Sequence, residues 1–166
     1  MDSISVTRRA ELVWGAREID KLELLDRYPV DRELLDAWRA GDTATTERVT
    51  AVWRDKLAEQ TAAGTRWRRV RVVSEPLSEY QRMAVAVALP DEDLRWLPRR
   101  LVSAVALPGN DCFVLDGMAV VFNVHDGDGA RSDIQYSKDP VVATFCRAAF
   151  DRAWALALPT DEYRAH

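Results

Sequence analysis

Two apolar runs, residues 112–115 (CFVL) and 118–124 (MAVVFNV), are separated only by Asp116-Gly117. A two-residue connection between extended segments needs positive φ at both central positions, which Asp tolerates and Gly adopts freely. The dipeptide therefore predicts an antiparallel hairpin turning at 116–117. A purely helical fold and a purely parallel βα repeat are both excluded by it.

Helical and strand patterns surround that hairpin. Residues 3–13 (SISVTRRAELV) read as a short helix with Ser3 or Ser5 as its cap. Residues 16–28 fit two patterns. Leu22 and Leu24 alternate as in a strand, whereas Ile19, Leu22 and Leu25 share a helical stripe, and the strand is preferred. Asp31 starts a helix carrying Leu34, Leu35 and Trp38 and ended by Gly41; Asp42 or Thr43 starts another, carrying Val49, Val52, Trp53 and Leu57 and ended by Gly64. The short link makes the pair antiparallel.

Residues 66–73 (RWRRVRVV) are strand-like despite four arginines. Ser74-Glu75-Pro76 reads as a helix start, followed by Leu77, Tyr80, Met83, Ala84, Val87 and Ala88 at helical spacing. Pro90 and Pro98 bracket a short amphipathic turn, and residues 101–106 suit a strand. After a short strand at 134–136, Asp139 caps and Pro140 opens a final helix carrying Val142, Phe145, Cys146, Ala149, Ala153 and Trp154, stopped by Pro159. The expectation is a single α+β domain over 1–166, mainly helical to residue 64 and sheet-bearing over 65–159. Its sheet is antiparallel or mixed and covered by helices.

At 166 residues the chain can bury its own core without staples. No apolar run approaches the ~20 residues of a bilayer span, and the N-terminus lacks a basic-then-apolar leader pattern, so a cytoplasmic location without membrane contact is expected. A net charge of −4 argues against a general electrostatic grip on nucleic acid. Cys112 and Cys146 form no CxxC pair and are expected to be buried thiols. His125 and His166 are the only histidines, which starves any histidine-based catalysis. The loop holding Asp126, Asp128 and Asp133 faintly resembles a calcium loop but lacks its closing Glu and ligand spacing. No metal and no cofactor are expected.

The arginine strand is the strongest candidate site. Arg66 and Arg68 share one strand face, while Arg69 and Arg71 share the other with Trp67. One set must approach the core, where an unpaired guanidinium is costly. Either carboxylates such as Glu75 or Glu79 neutralise it, or it holds an anion, with Arg82 and Arg95 joining and Tyr80 nearby. The internal network is the expected outcome. If the site does bind a ligand, its residues are Arg69, Arg71, Tyr80, Arg82 and Arg95; no catalytic residue is assigned. Trp14 and Trp67 are free to belong to an interface.

The segments RVRVVSEPLSEYQRM (69–83), LRWLPR (94–99), FVLDGMAVVFNVHDGDG (113–129) and KDPVVATF (138–145) resemble an uncharacterised family of actinobacteria. That family has a fully helical start and an Arg-Leu-Glu motif where this chain has Lys21-Leu22-Glu23. Its genes often lie beside helix-turn-helix regulators, which implies a regulatory or accessory role. The hairpin, the Asp-Pro-capped helix and the ending FDRAWALALP are also similar to phospholipase D-like half-domains. The catalytic HxK motif is absent, since Asp126 and Gly127 follow His125. The expected function is a non-catalytic regulatory or accessory binding domain acting through a protein partner such as a DNA-binding regulator. One alternative is an enzyme on a small anionic substrate held by Arg69, Arg71, Arg82 and Arg95, with Tyr80 or Glu79 as acid–base group. A second is nucleic-acid binding through the arginine strand.

Overall fold

Charge complementarity between two neighbouring strands sets the centre of the sheet. In the computed structural model, which describes residues 1–164, β2 (Glu18–Glu23) lies parallel to β3 (Arg66–Val73) with Glu18 opposite Arg66, Asp20 opposite Arg68 and Glu23 opposite Arg71. His166 falls outside the described residues. Around this pair are α1 (Val6–Gly15), α2 (Arg32–Ala40), α3 (Thr43–Ala62), α4 (Glu79–Ala86), β4 (Leu94–Pro98), β5 (Asp111–Leu115), β6 (Ala119–His125), β7 (Arg131–Ser137), α5 (Pro140–Leu156) and α6 (Thr160–Arg164). Two-residue strands β1 (Asp2–Ser3) and β8 (Leu158–Pro159) complete an eight-stranded sheet ordered β1-β7-β6-β5-β2-β3-β4-β8. β2, β3 and β4 are mutually parallel and every other pairing is antiparallel, so the fold is α+β with a mixed sheet.

The hairpin forms as the Asp-Gly dipeptide requires, with φ of 51° at Asp116 and 66° at Gly117. Asp116 also accepts both the Arg17 and Glu18 amides at 2.9 Å, which ties the turn to the start of β2. Helix starts follow their caps: Ser5 accepts from the Arg8 amide, Asp42 from Thr45 and Asp139 from Val141. Helix α5 covers one face of the sheet through Cys146, Phe150 and Ala153, packed on Leu22, Val70 and Val114. Helices α1 to α4 cover the other face in two apolar clusters. One gathers around Ile19, Trp67 and Phe113, the other around Tyr80, Met83 and Trp96. Among the described residues no helix is long and apolar enough to cross a membrane.

Several local readings are corrected. Ser74 does not start a helix: its amide and hydroxyl donate to the Asp26 carboxylate and its oxygen accepts from Arg99 Nε, while Ser78 caps α4 through the Gln81 amide. The turn read between Pro90 and Pro98 contains β4, whose residues pair with β3 and send Leu94 and Trp96 to one face and Leu97 to the other. Residues 101–106 are not a strand, since β4 already occupies the place beside β3. Val52 and Phe145 are exposed, each turned about a quarter revolution from its helix's buried stripe. Within residues 16–28 the preferred strand forms as β2, an interior strand of the sheet. Cys112 and Cys146 are free thiols inside the α5-facing core.

Gly117→Val forces a β-branched residue into left-handed backbone, where its Cβ also meets the Arg147 side chain at 3.5 Å. The expected cost is about 1–3 kcal/mol, read as a lower urea midpoint with unchanged slope.

Candidate functional site

Between the two apolar clusters on the helical face runs a polar layer. Its centre is Glu23, 4 % exposed, which the strand register sets beside three cations. Arg69 donates to both Glu23 oxygens at 2.9 Å through Nε and Nη2, Arg71 donates through Nε at 2.6 Å, and Lys21 Nζ lies 2.6 Å away. Burial works against the Glu23 charge, but Arg69, Arg71 and Lys21 overcome it and hold the carboxyl well below the usual range. Burial, with Arg69 close by, pulls Lys21 down from the ordinary lysine value. Arg69 has a second acid, Glu92, at 3.0 Å, which also accepts from Trp53 Nε1 at 3.1 Å.

Arg71 is satisfied on one edge alone. It is 7 % exposed and gives Nε to Glu23, yet neither terminal nitrogen makes a hydrogen bond among the described residues. Its guanidinium carbon sits 5.8 Å from the ring centres of Tyr28, Tyr80 and Trp96. Such an aromatic collar favours the cation without consuming its donors. Tyr80 donates to Asp31 and Tyr28 donates to Asp111 at 2.7 Å, and burial raises both phenols above their ordinary value.

The layer borders two hollows that share Lys21, Asp31, Arg69 and Arg71 as lining. One, of about 500 Å³, lies towards β5 and β6 and is lined further by Arg9, Asn123, His125 and Arg131. Arg9 Nε is buried without a hydrogen-bond partner, and so is Oδ1 of Asn123, itself 6 % exposed. Burial and the nearby Arg131 lower Arg9 to about 10. Neither Arg9 nor Arg131 has a carboxylate within ion-pair distance among the described residues; Arg9 rests over the Phe113 ring at 4.9 Å. Five cations (Arg9, Lys21, Arg69, Arg71, Arg131) thus face Glu23, Asp31, Glu92 and Asp111. One of those acids, Asp111, is raised by burial and by Glu23. The cations exceed the acids by one, and the cleft's unpaired donors suit an anion.

Of the residues proposed from sequence, Arg69, Arg71 and Tyr80 meet here. Arg82 does not: it is exposed on α4 and donates to the Leu77 carbonyl. Arg95 lies on the opposite sheet face, stacked 4.1 Å from the Trp154 ring and bonded to its carbonyl, because β4 alternates its side chains. The acids nominated as partners are elsewhere, with Glu75 on Arg100 and Glu79 on Arg39. Arg66 and Arg68 are held by Glu18 and Asp20 on the α5 side. Trp14 and Trp67 are stacked with centroids 5.4 Å apart, within the chain's own core. Asp126 accepts the amides of Asp128 and Ala130, closing its own loop. No cluster of His, Cys, Asp or Glu among the described residues is arranged to hold a metal. Missed were Lys21, Glu23 and Glu92, and with them Arg9 and Asn123. A partial signal existed: Glu18 and Asp20 alternate on one face of EIDKLE as Arg66 and Arg68 do in RWRRVRVV, which marks neighbouring strands, but Lys21 and Glu23 fall on the other face and had none.

Glu23→Gln leaves three cations facing a neutral amide and is expected to cost about 3–5 kcal/mol. Because folding depresses the Glu23 value, its contribution is complete above the unfolded carboxylate range and drains away as acid is added below about pH 5. The variant's stability–pH curve, from urea melts, loses that acid-side slope.

No curated protein and no solved structure matches the chain. The family described as Domain of unknown function (DUF6879) matches over residues 10–165, so the chain belongs to that family.

Proposed function

We propose that the protein is a non-catalytic binding domain that takes a small anionic ligand in the cleft over β2, β3, β5 and β6. The carrying observation is Arg71, buried, ringed by aromatics and with its terminal nitrogens unbonded. A guanidinium fixed along one edge presents its other edge as a rigid two-donor fork, the geometry that a carboxylate or phosphate accepts. Arg9, Lys21 and Arg131 add positive potential on one side of it. The groups that acid–base chemistry would need are committed: Tyr80 is held protonated against Asp31, Glu79 is paired with Arg39, and Glu23 is saturated by cations. Occupancy would act as a signal to a protein partner, a DNA-binding regulator being the kind that the sequence resemblance favours. Nucleic-acid binding along the arginine strand has less to stand on, because all four of its arginines are paired with β2 acids or lie under helices.

The test uses acetate, inorganic phosphate and citrate as probes, each titrated at constant ionic strength. A ligand confined to the folded state raises the melting temperature as RT ln(1 + [L]/Kd). At least one probe is expected to stabilise the protein, and Arg71→Lys, which keeps the charge and loses the fork, is expected to weaken that response about tenfold or more relative to its own ligand-free melting temperature. Indifference to all three anions, or an unaltered response in the lysine variant, overturns the reading.

A further inference from the structure

The second hollow says what the rest of the ligand looks like. On the side of Arg71 away from Arg9, a chamber of about 270 Å³ lies between α3 and α4 over the sheet. Its walls are Leu34, Val49, Trp53, Met83, Ala84 and Val87, and it opens directly onto Arg69 and Arg71. The hollow is half open to solvent and far larger than a single water, so a small molecule can enter it. Apart from the charged layer at its inner end, its named walls offer a bound molecule few hydrogen bonds. Water there would be poorly held, and an apolar group displaces such water favourably.

We infer that the ligand is an organic acid with a compact apolar body, an aryl or branched-chain carboxylate, whose charged end meets the Arg71 fork and whose body fills the α3–α4 chamber. This rests on the anion-binding reading of Arg71 and adds to it. The geometry has three parts that agree. The fork sits where the polar layer meets the chamber, so a single molecule can touch both. Met83 supplies a deformable wall and Trp53 a flat one, the pair of surfaces that suits a ring. The volume lies just under the usual range of small-molecule sites, roughly 300–1,000 Å³, and fits a single ring with a short arm. Arg9 and Arg131 line only the other hollow, which leaves space there for a polar substituent.

Phenylacetate and acetate, compared by calorimetric titration, separate this inference from the reading beneath it. Phenylacetate is expected to bind about tenfold or more tighter than acetate, the gain of burying one ring. Ala84→Leu narrows the chamber from α4, and Val49→Phe narrows it from the partly exposed face of α3, so at least one should fold normally. Each is expected to remove the phenylacetate advantage and leave acetate unchanged. Equal affinity for the two acids, with both lost in Arg71→Lys, overturns the apolar body and leaves anion binding standing. A phenylacetate advantage that survives both filled-chamber variants also overturns it, by placing the ring elsewhere. Failure of both acids to bind overturns the apolar body, and anion binding falls with it only when phosphate and citrate also leave the melting temperature unchanged.

Discussion

One carboxylate organises the centre of this protein. Lys21, Arg69 and Arg71 project from adjacent strands about 4.8 Å apart, a spacing at which three cations cannot be buried together unaided. Glu23 accepts from all three, and its charge survives burial for that reason. Arg69 needs a second acid, Glu92, which the segment between α4 and β4 delivers. Arg71 is left with one edge fixed and the other unbonded. The free donors of the cleft are thus a by-product of how three cations share a single hub.

The same logic sets the register of the parallel pair. Glu18, Asp20 and Glu23 stand opposite Arg66, Arg68 and Arg71, with Leu22 opposite Val70. A slip by one residue would turn each side chain to the other face and set cations against apolar groups. Hydrophobic alternation is weak in EIDKLE and in RWRRVRVV, so electrostatic matching does here what apolar patterning does in β5 and β6. Asp20 and Arg68 illustrate it on the α5 side: two parallel hydrogen bonds at 2.8 Å join them, and the guanidinium lies 4.9 Å from the Phe150 ring centre.

What could be read from the chain was local. Asp116-Gly117 needed only its own backbone preferences to declare a hairpin, and Asp42 and Asp139 needed only the next turn of helix to act as caps. The need for acids beside Arg69 and Arg71 was equally legible, since burial of an unpaired charge is expensive at any address. Their identity was not. Glu23 lies 46 and 48 residues from its two arginines, and nearness in sequence favoured Glu75 and Glu79, which face other partners. β4 was missed because Pro90 before it and Pro98 at its end suggest a turn, and pairing with β3 overrides that local hint. The chamber behind Arg71 was beyond sequence altogether, because it depends on how far apart α3 and α4 settle.

The sheet ends in two very short strands. β1 contributes only Asp2 and Ser3, and β8 only Leu158 and Pro159, whose ring nitrogen has no hydrogen to donate. Long flat rims invite another chain to add itself as a further strand, and short rims bearing charge or proline discourage it. Eight strands can therefore sit side by side without templating fibrils. A protein that docks here must also grip side chains on the helical surfaces, because neither rim offers enough backbone to be extended.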